Sequence, residues 1–155
     1  MKEKILVAYY SHSSNTRKLA RMIREKTGAD ITEISPAQPY PSDYQSLCLR
    51  SRNEAESGCR PTLAEMPRDL NRYDCIFLGS PNWWGTAAPP VLSFLEQSHY
   101  SGKLIPFCTH SGSGFDNMIH DYRKLTNAEI TPGFAAFGGT VAEKDLEKWL
   151  KAVNE

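Results

Sequence analysis

Apolar positions along the chain follow two rhythms that take turns. Short, nearly continuous apolar runs at Lys4 to Tyr10 (KILVAYY), Asp74 to Gly79 (DCIFLG) and Leu104 to Thr109 (LIPFCT) read as strands covered on both faces. Asp30 to Ile34 (DITEI) alternates and is short, as suits a strand near a sheet edge. Ile130 to Phe137 (ITPGFAAF) is a fifth strand weakened by Pro132 and Gly133, and Pro106 sits awkwardly inside the fourth.

Between these runs the apolar spacing turns helical. Thr16, Leu19, Ala20 and Ile23 mark a helix over 15–27 that Gly28 is placed to stop. Ala88, Val91, Leu92 and Leu95 mark another, with Pro89 and Pro90 tolerated in its first turn. Phe115, Met118, Ile119 and Tyr122 line a fourth helix, and Leu146, Trp149, Leu150 and Val153 the last, preceded by Thr140 and Glu143 at capping-box spacing. The second helix is expected to run from Ser42, as its N-cap, towards Ser57. Positions 58–71 are irregular, a loop with room for one helical turn.

Five strands alternating with five helices imply a parallel sheet covered on both faces, a three-layer α-β-α sandwich. Right-handed crossovers leave 3-2-1-4-5 and 2-1-3-4-5 as the common strand orders, and the pattern alone does not choose between them. A length of 155 residues suits one domain with one core.

Composition removes several functions. Eighteen basic residues balance eighteen acidic ones, which gives no case for nucleic acid or an anionic membrane as partner. No apolar run approaches bilayer length, so membrane insertion is not expected. The run from Ile5 to Tyr10 is shorter than a signal-peptide core and has no small-residue cleavage site behind it, so a cytoplasmic location is expected. Cys48, Cys59, Cys75 and Cys108 have neither C-x-x-C nor metal-like spacing and read as unpaired thiols; no metal site is expected.

Ligands of an open parallel sheet bind beyond the carboxyl ends of its strands, where strand order reverses. Three segments at those ends are unusual. After the first strand come Ser11, His12, Ser13, Ser14, Asn15 and Thr16, six small or polar residues that open a helix. Their hydroxyls and amides can surround a phosphate, with the helix dipole in support. The loop holds no lysine or arginine, which suits a tightly held cofactor better than a phosphoryl group in transfer. After the third strand come Pro81, Asn82, Trp83, Trp84 and Gly85. Two adjacent indoles at a sheet's carboxyl edge do not both fit one core, so at least one is expected against a flat ligand or a partner. Thr109, His110, Ser111, Gly112, Ser113 and Gly114 follow the fourth strand, and their glycines allow backbone to approach a ligand closely.

These stretches resemble the flavodoxin family. YYSHSSNTRKLA is similar to its phosphate loop, GSPNWWGTAAPPVLSFLE to its second loop and THSGSG to its third, and PAQPYPSDY resembles a segment of its short-chain branch. The resemblance spans the chain in order. It implies a five-stranded sheet in the order 2-1-3-4-5 and FMN as cofactor at the reversal between strands one and three. Ser11 to Thr16 would then hold the phosphate, Pro81 to Gly85 one side of the isoalloxazine, and Thr109 to Gly114 the other side and the pyrimidine edge. Two features depart from the family pattern. Ser14 stands where glycine is usual, and the first helix is basic (Arg17, Lys18, Arg21, Arg24) on a neutral chain where family carriers are often acidic.

The function implied is electron carriage through a non-covalently bound flavin, with a redox partner protein or a small-molecule acceptor. The alternative is an FMN-dependent reductase of quinone-like molecules using NAD(P)H. No catalytic acid, base or nucleophile is required, and none is nominated. A phospho-receiver fails because Ser11-His12 and Ser80-Pro81 stand where its aspartates belong. A P-loop NTPase lacks G-x-x-x-x-G-K-[ST], a low-molecular-weight phosphatase lacks its loop cysteine, and Gly112-Ser113-Gly114 does not meet G-x-S-x-G.

Overall fold

The computed structural model describes residues 3–153. Its elements are β1 (Ile5–Tyr9), α1 (Asn15–Thr27), β2 (Asp30–Glu33), α2 (Tyr44–Ser57), β3 (Cys75–Trp83), β4 (Thr86–Ala87), α3 (Pro89–Ser98), β5 (Lys103–His110), α4 (Met118–Leu125), β6 (Glu129–Ile130), β7 (Phe134–Phe137) and α5 (Glu143–Val153). A single 3-10 turn, Leu70–Arg72, falls in the irregular stretch before β3.

The sheet runs β2-β1-β3-β5, with β6 and β7 both beside β5, and only the short β4 is antiparallel, against β3. With β6 and β7 taken as two parts of the expected fifth strand, this is the 2-1-3-4-5 order. Residues alternate between the two faces, as a doubly covered strand requires. Leu6, Ala8, Ile76, Leu78, Leu104 and Cys108 pack under α3 and α4. Val7, Tyr9, Cys75, Phe77, Ile105 and Phe107 pack under α1 and α5.

The fifth strand breaks for an identifiable reason. Leu104 O accepts from Thr131 N, so Pro106, two residues on, turns the same side of its backbone to that neighbour and has no N–H to offer. Pro132 lacks a donor as well, and a Cβ at Gly133 would lie 2.7 Å from Pro106 O and 2.6 Å from the Phe115 ring. The chain passes this point close to β5 but unpaired, and the ladder resumes at Phe107 with Phe134.

Helix starts differ from expectation in three places. Asp43, not Ser42, caps α2, accepting from Ser46 N at 2.9 Å. Helix α4 begins at Met118, so Phe115 lies in the approach to it. The spacing of Thr140 and Glu143 does not become a capping box: α5 starts at Glu143, whose carboxylate pairs with Lys26 of α1 at 2.9 Å. The first intrahelical bond, Leu146 N to Ala142 O at 3.0 Å, leaves Thr140 two residues too early to cap the helix.

No helix among the described residues is long and apolar enough to cross a membrane. All four cysteines are free. Cys75 and Cys108 are buried, and burial pushes their thiols up to about 11 and about 12.

Candidate functional site

The carboxyl ends of β1, β3 and β5 meet at one cleft of about 360 Å³. The first loop contributes His12, Ser13 and Asn15, the second Pro81, Asn82 and Trp83, and the third Thr109, His110 and Ser111. Nine of the seventeen residues singled out from the sequence therefore line a common space. The other eight act around it.

The first loop is shaped to offer donors. Ser14 has φ 78, a left-handed conformation, and as the residue before α1 it makes no side-chain cap. The first intrahelical bond is Lys18 N to Ser14 O at 2.9 Å, which leaves the amides of Asn15, Thr16 and Arg17 without an intrahelical acceptor. Ser11 Oγ is buried without a hydrogen-bond partner, one of three such side-chain atoms among the described residues. Buried hydroxyls are normally satisfied, so a donor left over at a helix start fits an anionic ligand group. Thr16 is buried instead, bonded to Thr109 Oγ1 at 2.8 Å, and ties the first loop to the third.

A serine in the left-handed region carries strain that glycine does not. Ser14→Gly is expected to stabilise the protein by about 1 kcal/mol. A urea midpoint that falls, with unchanged slope, would show that the Ser14 side chain contributes more than its backbone costs.

The second loop separates the two tryptophans. Trp83 is half-buried, and its ring meets Tyr10 at 5.5 Å, Tyr40 at 5.1 Å and His12 at 6.1 Å, all edge-on. Trp84 is 53% exposed and turns away onto α2, where its Nε1 donates to Ser51 Oγ at 2.9 Å. Trp83 is thus the indole at the cleft, a choice the sequence left open. Tyr40 is itself held between Arg50, whose guanidinium lies 4.0 Å above the ring, and the Glu54 carboxylate that its hydroxyl donates to. Burial, then the bond to Glu54, pushes the Tyr40 hydroxyl far above the ordinary tyrosine range.

Asn82 joins the second loop to the third. Its Nδ2 donates to Gly114 O at 2.8 Å and Asp116 Oδ2 at 3.0 Å, while its Oδ1 accepts from Gly85 N at 3.0 Å. Bonds from Ser113 and then Asn82 hold the Asp116 carboxyl below its usual range. Gly85 and Gly114 therefore serve the geometry of the turn, with φ 86 and 62. His110 Nδ1 accepts from Gly112 N at 3.0 Å, closing the third loop on itself.

Four residues of the cleft escaped the sequence reading: Ser42, Tyr44, Leu47 and Gly138. The first three precede or begin α2, and the last follows β7. The proline-rich segment before α2 was the available signal, because it ends on Tyr44. Gly138 had none, since its place depends on how β7 pairs with β5. No group of three His, Cys, Asp or Glu side chains among the described residues could hold a metal ion.

Known proteins share this architecture. A candidate flavoprotein from Bacteroides eggerthii is 29% identical, with 99% of each chain covered and a TM-score of 0.83. A flavoprotein from Lactobacillus acidophilus, solved in complex with FMN, is 24% identical, with 96% of this chain and 99% of that one covered and a TM-score of 0.78. An archaeal flavodoxin at 16% identity, covering 94% of this chain and 90% of its own, shares the fold at a TM-score of 0.58. No curated protein matches the chain significantly. The flavodoxin family model matches residues 4–153, and with three loops closing on one cleft at the reversal of a 2-1-3-4-5 sheet, the chain belongs to the flavodoxin family.

Proposed function

We propose that the chain binds FMN non-covalently in this cleft and passes electrons through it. One observation carries the reading: the start of α1 presents unpartnered amides beside a buried, unsatisfied Ser11 hydroxyl, at the sheet's reversal point. Bound FMN supplies the redox chemistry. The residues supply binding and orientation. Ser11, His12, Ser13, Ser14, Asn15 and Thr16 surround the phosphate with neutral donors. Pro81, Asn82 and Trp83 border the ring on one side, and Thr109, His110 and Ser111 on the other. Trp84, Gly85, Gly112, Ser113 and Gly114 set the shapes of the two loops.

Neither ring-facing loop contains lysine or arginine. Negative charge added to a ring held there meets no lysine or arginine from these loops, and without such a countercharge the potential at which it can be added is lower. Electron carriage needs no acid, base or nucleophile from the protein, and none is assigned.

The visible spectrum of the purified protein tests the reading. Flavin absorption bands are expected, lost on removal of FMN and restored by adding it in a 1:1 complex. A colourless protein that takes up no FMN would sink it. NADPH oxidation that turns over with a quinone would instead place the protein with FMN-dependent reductases.

A further inference from the structure

Helix α1 carries a charge distribution that its own stability does not explain. Thr16, Leu19, Ala20 and Ile23 bury its inner face, while the rest of the helix presents Arg17, Lys18, Arg21, Arg24 and Lys26 against a single acid, Glu25. Arg17 and Lys18 stand near the start of the helix, where cations oppose its dipole, and the first turn holds no acid. Arg21 has Arg17 four residues before it, Lys18 three before and Arg24 three after. These are like charges at neighbouring helical positions, which weaken a helix. Helix α4 shows the opposite habit, ending on Arg123 and Lys124, where cations complement the dipole.

Neighbouring carboxylates do not cancel this charge. Glu33 of β2 pairs with Arg17 at 2.6 Å, and Glu143 and Glu147 of α5 pair with Lys26, both at 2.9 Å. Lys18, Arg21 and Arg24 are exposed and make no ion pair among the described residues. Lys18 Nζ reaches only the Gly139 carbonyl, at 3.4 Å. Helix α5, which α1 meets through Lys26, balances Glu143, Asp145 and Glu147 with Lys144, Lys148 and Lys151. The surplus is therefore local, on a chain whose formal net charge is zero. It also starts beside the cleft without belonging to it. Asn15 lines the cleft, none of the three free cations does, and Arg21 lies six residues beyond Asn15, about 9 Å at the ordinary helical rise.

We propose that this face of α1, with Arg21 between Lys18 and Arg24, is the docking surface for an acidic electron-transfer protein. The proposal rests on the reading of the chain as an electron carrier, to which it adds the sign of the partner's charge and the place where the partner seats. Complementary charge speeds the encounter of two proteins and fixes their orientation. A partner seated on α1 stands beside the opening of the cleft, where its own redox centre can approach the flavin. A nucleic acid or an anionic bilayer offers the charge but no electron to give or take, and makes no use of that adjacency.

The test follows electron transfer with two proteins of opposite charge, by anaerobic stopped-flow on the FMN-loaded protein. In one arm a reduced [2Fe–2S] ferredoxin of strongly acidic surface gives one electron to the oxidised flavin, its cluster being oxidised as the flavin is reduced. In the other the reduced flavin gives one electron to the haem iron of a basic c-type cytochrome. The ferredoxin rate constant is expected to fall at least about tenfold between about 0.01 M and about 0.5 M salt. At low salt Arg21→Glu slows the ferredoxin reaction about tenfold and speeds that of the cytochrome, and Arg21→Gln does both to a smaller degree. Arg123→Glu makes the same change in total charge under the opposite face of the sheet and leaves both rates within about twofold of wild type. FMN occupancy of each variant is read from its spectrum. The proposal is overturned by a ferredoxin rate that does not fall with salt, by equal slowing from Arg21→Glu and Arg123→Glu, or by Arg21→Glu slowing both reactions alike, which marks damage to the fold. Vesicles of anionic phospholipid that capture wild type but not Arg21→Glu, with no salt effect on the ferredoxin rate, would give the face to a membrane instead. Failure of the underlying reading shows separately, as absent flavin bands or as a bound flavin that exchanges electrons with neither protein at any salt concentration.

Discussion

FMN is expected to bind this protein about a thousandfold more tightly than riboflavin, which lacks only the phosphate. The donors that would distinguish them are visible in the first loop. Three amides at the start of α1 have no intrahelical acceptor, and Ser11 Oγ is buried with nothing to bond. Hydrogen bonds to a charged acceptor contribute about 1.5–3 kcal/mol each. Two of them near the middle of that range give about 4 kcal/mol, which is the thousandfold. Binding of riboflavin leaves these donors unpaired, so part of the difference is the cost of desolvating them for nothing. Since Ser11 to Thr16 include no lysine or arginine, the preference should largely survive added salt, unlike one built on ion pairs. Titration calorimetry with both ligands at low and high salt checks this. A ratio below tenfold would mean that the loop does not hold the phosphate.

Gly79→Ala is expected to cost about 3 kcal/mol of folding stability, one of the larger effects available to a single methyl group in this chain. Gly79 pairs with Tyr9 on one side and Phe107 on the other, in the middle of the sheet. A Cβ there would lie 2.1 Å from Cζ of Phe107, a ring with no exposed surface. The ring belongs to the buried cluster that also holds Val7, Leu19 and Phe77, so displacing it disturbs packed neighbours. Either the ring leaves its rotamer or β3 moves away from the helices. Gly79 O also accepts from Tyr10 N at 3.1 Å, and the next residue, Ser80, holds the start of α3 through Ala88 N at 2.8 Å. Movement of β3 would therefore pass into the second loop and weaken cofactor binding as well. Urea unfolding of the apo protein measures the first effect and FMN titration the second. A loss under about 1 kcal/mol would show that the Phe107 ring adapts freely.

Much of the fold was legible because its signals are local. A strand covered on both faces has to be apolar at successive positions, and KILVAYY and DCIFLG are. Helix α1 was bounded correctly at Asn15 and Thr27 because its apolar stripe and Gly28 lie within the helix and one residue beyond it. The misreadings arise where a local signal met a distant competitor. Thr140 and Glu143 have the spacing of a capping box, but the helix starts only at Glu143, whose carboxylate meets Lys26 of another helix. The fifth strand was read as continuous through Pro132, while the break is set jointly with Pro106 of its neighbour.

The site divides in the same way. By itself the sequence determined that three loops rich in hydroxyls, indoles and glycines stand at the carboxyl ends of consecutive strands, because loop chemistry is written in adjacent residues. Which residues face the ligand is a different matter, since it depends on contacts across the sheet. Trp83 turns to the cleft and Trp84 to α2 because Tyr10 and Tyr40 receive one indole and Ser51 the other. Asn82 is occupied by Gly85, Gly114 and Asp116, and Thr16 by Thr109, partners up to 93 positions away. Gly138 enters the cleft from a segment that carries no signal of it, and the proline-rich segment that ends on Tyr44 does not show by itself that it reaches the cleft. Only the tertiary structure could decide these, because each rests on a pairing of side chains that no spacing along the chain encodes.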